Sequence, residues 1–181
     1  MNLNLYMVLL GCKPAGRYTE QHDLFFGIGE KINALKSDMV KFWPEAKGKL
    51  HIDAWRQVSV VDNFHVAVED RAHAAVENDY KLFFVNLGGY RGQDFEEYHY
   101  KQLVVARDMK EATKKAKTSA FFQEHISPHV DDKYGLDVDD IFTVEDALSP
   151  SAREKYRIVL RPVTDESADE VNIGYVKFSE L

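Results

Sequence analysis

The chain has 181 residues, of which 45% are hydrophobic and 12% aromatic. This apolar content suffices for one ordinary hydrophobic core or two small fused cores, and the aromatic content excludes a disordered chain. A formal net charge of −7 argues against a surface for nucleic acid or anionic lipid, and no apolar run approaches the roughly 18 residues of a membrane helix. Cys12 is the single cysteine, so no intrachain disulfide can form, and we expect a cytoplasmic protein.

The first part of the chain predicts two strands joined by a turn. Residues 5–10 form a continuous apolar run, which is typical of a strand buried on both faces. Residues 11–16 include Pro14 and predict a turn. The next segment, residues 22–29, contains Leu24-Phe25-Phe26, and its aromatic content favours a second strand over a helix.

A helix and a hairpin are predicted next. Apolar residues recur at three- and four-residue steps over residues 32–42, which indicates an amphipathic helix that Pro44 ends. Residues 55–61 and 64–69 have the composition of strands, and the turn-forming pair Asp62-Asn63 lies between them. These two segments therefore predict a β-hairpin.

The second part of the chain repeats this order of elements and then extends it. The predicted segments are a strand at 81–87, a turn at 88–92, a strand at 99–106, a helix at 109–122, a short strand at 141–144 and closing strands at 156–163 and 171–178. An acidic stretch, residues 131–146, contains the short strand and is otherwise expected to be a solvated loop.

The two parts match each other in sequence. A shift of 77 residues brings Leu10-Gly11 onto Leu87-Gly88, and one further residue of slip brings His51-Ile52-Asp53 onto His129-Val130-Asp131. We predict an α+β protein built by internal duplication of a strand-strand-helix-strand-strand unit, with largely antiparallel sheet and pseudo-twofold symmetry. Copy one is predicted to span residues 1–76, and copy two, with a C-terminal extension, residues 77–181, packed as a single body.

The order of motifs in copy one resembles a known bacterial family. The motifs are the strand end Leu10-Gly11, the run Glu20-Gln21-His22-Asp23 before an apolar strand, a helix ending at Trp43, and the run Leu50-His51-Ile52-Asp53-Ala54-Trp55. Together they resemble the uncharacterised family named domain of unknown function 1543, which carries one or two copies per chain. The resemblance implies a bacterial protein with two tandem copies, and it implies no activity, substrate or catalytic residue.

Each copy carries a Glu-x-His and a His-x-Asp pattern. Residues two apart on a strand point to the same face, so the pairs can converge if their strands are neighbours. Imidazole and carboxylate groups together can hold a divalent metal or a proton near neutral pH, with His22 and His51 as the candidate metal ligands. The candidate polar cluster consists of Glu20, His22, His51, Asp53, Glu97, His99, His129 and Asp131.

Three interpretations of these patterns remain open at this point. The cluster can be structural, with each carboxylate fixing a histidine at the end of a sheet. The favoured function is a non-catalytic soluble protein that binds a protein or small-molecule partner, because no motif has the spacing of an enzyme site and no cofactor loop is present. The alternative is a metal-dependent or acid–base hydrolase that uses the recurrent pairs. A free edge of antiparallel sheet would also permit a homodimer.

Overall fold

The computed structural model describes residues 3–73, 79–90, 94–118, 138–164 and 168–181. The chain divides into two compact units: unit 1 is Met1–Glu77 with Ala147–Leu181, and unit 2 is Asn78–Asp146. Every strand pairing among the described residues is antiparallel, and the helices are few and short. The predicted α+β class with largely antiparallel sheet is therefore confirmed.

The strands, in chain order, are β1 (Asn4–Cys12), β2 (Gln21–Gly29), β3 (His51–Val58), β4 (Val60–Val61), β5 (Phe64–Asp70), β6 (Lys81–Tyr90), β7 (Glu97–Ala106), β8 (Val138–Thr143), β9 (Tyr156–Pro162) and β10 (Asn172–Lys177). The helices are α1 (Lys36–Phe42), α2 (Met109–Lys117), α3 (Val144–Ala147) and α4 (Pro150–Lys155). None of the described helices is long and apolar enough to cross a membrane.

The larger sheet of unit 1 has the strand order β10-β3-β1-β2. One face of β1 presents Tyr6, Val8 and Leu10 to a core that also contains Leu35 and Met39. Leu35 closes a 3₁₀ turn that leads into α1, and Met39 lies within α1, so the predicted helix is present in two segments. It ends before Pro44, because the residue preceding a proline is restricted to extended conformations.

The predicted hairpin is present, with a break in its first strand. β4 pairs with β5, and the turn residues Asp62 and Asn63 have φ values of 50° and 63°, as a type I′ turn requires. The strand predicted over residues 55–61 is interrupted at Ser59. There the carboxylate of Asp169 accepts hydrogen bonds from the backbone N–H groups of Ser59 (3.0 Å) and Val60 (3.3 Å), which takes these donors out of a continuous ladder.

The two C-terminal strands hydrogen-bond to strands from the start of the chain. β9 pairs with β5 along its whole length, and β10 pairs with β3, so both lie in unit 1. The sequence assigns these segments to the second copy because it follows chain order. The division of the chain into copies at residues 76 and 77 stays a prediction.

Unit 2 contains a three-stranded sheet, order β7-β6-β8, covered by one helix. Ala112 and Ala116 of α2 are buried against Phe83 and Val85 of β6, and small residues allow the helix to lie close to the sheet. Asp108 caps α2 by accepting a hydrogen bond from the backbone N–H of Glu111 at 2.8 Å. Of the predicted helix 109–122, the part after residue 118 lies outside the described residues.

Candidate metal centre

Strand register places two histidines beside one glycine in unit 1. Gly11 of β1 is the cross-strand partner of His22 on β2 and of His51 on β3. Side chains directly opposite each other across antiparallel strands project from the same face, so both imidazoles lie on the face above Gly11. A side chain at this position would have no room, because a Cβ built on Gly11 would overlap Nε2 of His51.

A β-bulge brings Asp53 to the same place. The pairing of β1 with β3 passes from Leu9 opposite Ala54 to Leu10 opposite Ile52, which leaves Asp53 as an extra residue on β3. A bulge of this kind re-aims the side chain of the inserted residue. Here the Asp53 carboxylate lies over Gly11. A Cβ built on Gly11 would be 2.5 Å from Oδ2 of Asp53.

Four polar side chains converge above Gly11. Nε2 of His51 lies 3.1 Å from Oε1 of Glu20 and 3.4 Å from Oδ1 of Asp53. Nε2 of His22 lies 3.2 Å from Oδ2 of Asp53 and 3.7 Å from Oε2 of Glu20. Each imidazole thus contacts both carboxylates. The structure brings together Glu20, His22, His51 and Asp53, the four candidate residues that the sequence predicts in this part of the chain.

The site is closed on one side and open on the other. The His51 side chain is only 9% exposed, and that of Asp53 is 26% exposed. The side chains of His22 and Glu20 are 44% and 45% exposed and face solvent. On the closed side, the ring of Tyr175 from β10 lies against the His51 imidazole.

Two atoms of the site are buried without a hydrogen-bond partner: Nε2 of His51 and Oδ2 of Asp53. The neighbouring groups approach within 3.1–3.4 Å, yet none of these approaches has the direction of a hydrogen bond. Native proteins pair nearly all buried polar atoms, and an unpaired one costs about 1–3 kcal/mol. A cation at the centre would use both atoms as ligands. Two imidazole nitrogens and two carboxylate oxygens form a donor set that suits Zn²⁺ and other first-row divalent metals.

Cys12 follows Gly11 on β1 and is buried. Burial raises the pKa of its thiol, and the negative charge of Glu20 raises that pKa further. The thiolate is the reactive form of cysteine, so this environment disfavours a nucleophile at Cys12. Cys12 is therefore a small buried residue of the unit 1 core.

Among the described residues, unit 2 brings Asp139 close to two of the predicted residues, Glu97 and His99. His99 Nε2 lies 3.3 Å from Oδ2 of Asp139, with Glu97 beside them. The predicted partners His129 and Asp131 lie outside the described residues. Sequence reasoning missed Asp139 because it belongs to a run interpreted as a solvated acidic loop. The signal that could have found it is Asp137-Val138-Asp139, a second polar-apolar-Asp pattern like His51-Ile52-Asp53.

Comparison with known proteins indicates the fold and no activity. Residues 17–68 match the family described as Domain of Unknown Function (DUF1543), and this single match contains all four residues of the unit 1 cluster. No curated protein matches the chain. A crystal structure of a protein Il1583 from Idiomarina loihiensis is similar over 98% of this chain and 99% of that chain, with a TM-score of 0.69 and 22% sequence identity. At that identity the likeness shows a shared fold alone.

Proposed function

We propose that the protein is a non-catalytic binding protein for a divalent transition-metal ion, held in unit 1 by Glu20, His22, His51 and Asp53. The observation that carries the proposal is the buried, unpartnered Nε2 of His51, which faces two carboxylates at 3.1 and 3.4 Å. A purely structural cluster would pair that nitrogen with a directed hydrogen bond, because the interior leaves few polar atoms unsatisfied.

The donor set defines the class of metal. Ca²⁺ and Mg²⁺ take oxygen ligands almost exclusively, whereas imidazole suits Zn²⁺, Fe²⁺, Co²⁺, Ni²⁺ and Cu²⁺. His22 and His51 therefore favour the transition metals. Each of the four carboxylate oxygens lies 3.1–3.7 Å from one imidazole nitrogen, which is the spacing of two ligand atoms bonded to the same ion at about 2.0–2.2 Å.

The tandem arrangement of two copies is part of the same proposal. It is supported by the pairing of the central strands, β1 and β6. The β1–β3 register slips between Leu9 and Leu10, and the β6–β8 register slips between Asn86 and Leu87. Each slip is followed along the strand by a glycine opposite a histidine, as Gly11 faces His22 and Gly88 faces His99. Two unrelated sheets would not be expected to share both a bulge and a glycine–histidine pair at the same place.

Isothermal titration of the metal-free full chain with ZnCl₂, CoCl₂ and CaCl₂ tests the metal proposal. We expect saturable binding of Zn²⁺ and Co²⁺ and none of Ca²⁺ in the same range. His51→Gln should weaken Zn²⁺ binding at unit 1 at least about tenfold, since it removes a ligand atom. The matched control is His73→Gln, because His73 is an exposed histidine outside the cluster. Equal affinities for the wild type and His51→Gln would contradict the proposal.

A second candidate function is a metal-dependent hydrolase. The observation that favours it is the exposure of Glu20 and His22, which lets solvent and a substrate reach the open side of the cluster. In this function His22, His51 and Asp53 hold the metal, and Glu20 is the candidate general base and not a ligand. Zinc-loaded protein assayed against chromogenic phosphate and carboxylate esters tests this function. Turnover that is lost in Glu20→Gln while zinc binding persists would support it, and absence of turnover would leave the binding function alone.

A further inference from the structure

We infer that unit 2 holds a second divalent-metal site formed by Glu97, His99 and Asp139, weaker than the site in unit 1. The class of metal inferred for this site rests on the proposed function, but the site contains no residue of the unit 1 cluster. One ligand atom from each of the three side chains lies within 4.8 Å of the other two, and Oδ2 of Asp139 lies 3.3 Å from Nε2 of His99.

The backbone of unit 2 is shaped for this cluster. The β6–β8 pairing passes from Asn86 opposite Asp140 to Leu87 opposite Val138, so Asp139 is the extra residue of a bulge. Its carboxylate lies over Gly88, which is the cross-strand partner of His99, and a Cβ on Gly88 would overlap that carboxylate. A glycine is needed here so that the Asp139 carboxylate can reach the histidine. The contact between the Asp139 carboxylate and Gly88 is an observation separate from the distances among the three ligand atoms.

The donor set explains why the unit 2 site is weaker. The described residues of unit 2 supply one imidazole and two carboxylates, whereas unit 1 supplies two of each. The His99 side chain is 39% exposed, compared with 9% for His51, so water competes for the metal at His99 more than at His51. Fewer ligands and more solvent both lower affinity, and three protein ligands leave positions open for water or an exchangeable ligand.

Zinc titration of the full chain separates the two sites. We expect two successive binding steps in the wild type. Asp139→Asn and His99→Gln should each abolish the weaker step and leave the tighter one. His51→Gln should remove the tighter step and leave the weaker one. Asp140→Asn is the matched control: it changes the adjacent carboxylate, which accepts a hydrogen bond from Asn86 at 3.1 Å, and should leave both steps intact.

The outcomes distinguish this inference from the function proposed for unit 1. Loss of the weaker step in Asp139→Asn supports the unit 2 site, even if His51→Gln has no effect and the unit 1 proposal fails. A weaker step that survives Asp139→Asn, or that is lost in Asp131→Asn instead, overturns the assignment of Asp139. A wild type with a single step that His51→Gln removes also overturns it. Circular dichroism of each variant confirms that a lost step does not reflect unfolding.

Discussion

The ring of Tyr175 lies against the imidazole of His51 in a tilted arrangement, with ring centroids 4.4 Å apart and planes inclined by 35°. Tyr175 belongs to β10, which pairs with β3 and carries the C-terminal part of the chain to the candidate metal centre. The aromatic ring covers the one deeply buried histidine of the cluster. The last described strand of the chain therefore completes a site whose other residues lie between positions 20 and 53.

Replacing Tyr175 should weaken metal binding in proportion to the ring contact that is lost. A contact between two aromatic rings contributes about 0.5–1.5 kcal/mol, so Tyr175→Ala is expected to raise the zinc Kd about two- to tenfold. Tyr175→Phe retains the ring and should bind zinc as the wild type does. Titration calorimetry measures both. Equal affinities for the alanine variant and the wild type would show that the ring does not position His51.

Replacing Gly11 should damage stability and metal binding together. The added methyl group of Gly11→Ala overlaps Nε2 of His51, and overpacking of this kind costs about 1–3 kcal/mol. The imidazole must move away from the centre, so we expect a lower melting temperature and weaker zinc binding. Gly16→Ala is the control, because Gly16 has a φ of 82° and open space around it. That variant should lose stability through backbone strain and keep its zinc affinity.

The Asp169 side chain links the C-terminal segment to the junction of β3 and β4 through hydrogen bonds. Its carboxylate accepts hydrogen bonds from the backbone N–H groups of Ser59 and Val60 and from the Ser59 hydroxyl. Hydrogen bonds to a charged acceptor contribute about 1.5–3 kcal/mol, so Asp169→Ala should lower the free energy of unfolding by about 2 kcal/mol in urea denaturation. Asp169→Asn, which keeps one acceptor oxygen, should lose less. A loss below about 0.5 kcal/mol in the alanine variant would contradict this role.

Cys12 should be a slow nucleophile with a measurable effect on the pH dependence of stability. Because its pKa is raised by burial and by Glu20, the folded chain keeps a proton that the unfolded chain releases. The free energy of unfolding should therefore fall as pH rises above the ordinary pKa of a thiol, by at most about 1.4 kcal/mol per pH unit. Cys12→Ala should remove this component of the slope in denaturation measured between pH 8 and 10.

Alkylation gives an independent check on Cys12. Iodoacetamide should modify the folded, metal-free protein at pH 8 at least about tenfold more slowly than the urea-unfolded chain, since both the thiolate population and access are reduced. Comparable rates in the two states would mean that the thiol is exposed and ionises normally.

Local pattern and turn chemistry predicted the elements of the fold well. The apolar run at 5–10 and the positive-φ pair Asp62-Asn63 determine a strand and a turn from neighbouring residues alone. The partners of β9 and β10 could not be predicted in this way, because pairing across most of the chain depends on which sheet edges the rest of the fold leaves available. The break at Ser59 was missed for the same reason, since it depends on Asp169.

The local sequence pattern likewise predicted only part of the candidate site. The spacing Glu20-x-His22 and His51-x-Asp53 places each pair on one strand face, and the antiparallel register then brings the pairs together. The bulges that aim Asp53 and Asp139 have no signature in the local pattern. In unit 2, Asp139 lies on the bulge of β8 and was not among the predicted residues, whereas the predicted Asp131 lies outside the described residues.

Anomalous diffraction from crystals of the zinc-loaded protein would show whether unit 1 binds zinc through Glu20, His22, His51 and Asp53. We predict a zinc peak above Gly11, about 2.0–2.2 Å from Nε2 of His22, from Nε2 of His51 and from an oxygen of each of Glu20 and Asp53. A fully loaded protein with no peak in contact with His51, or a directed hydrogen bond from the His51 Nε2 to a carboxylate in its place, would contradict it.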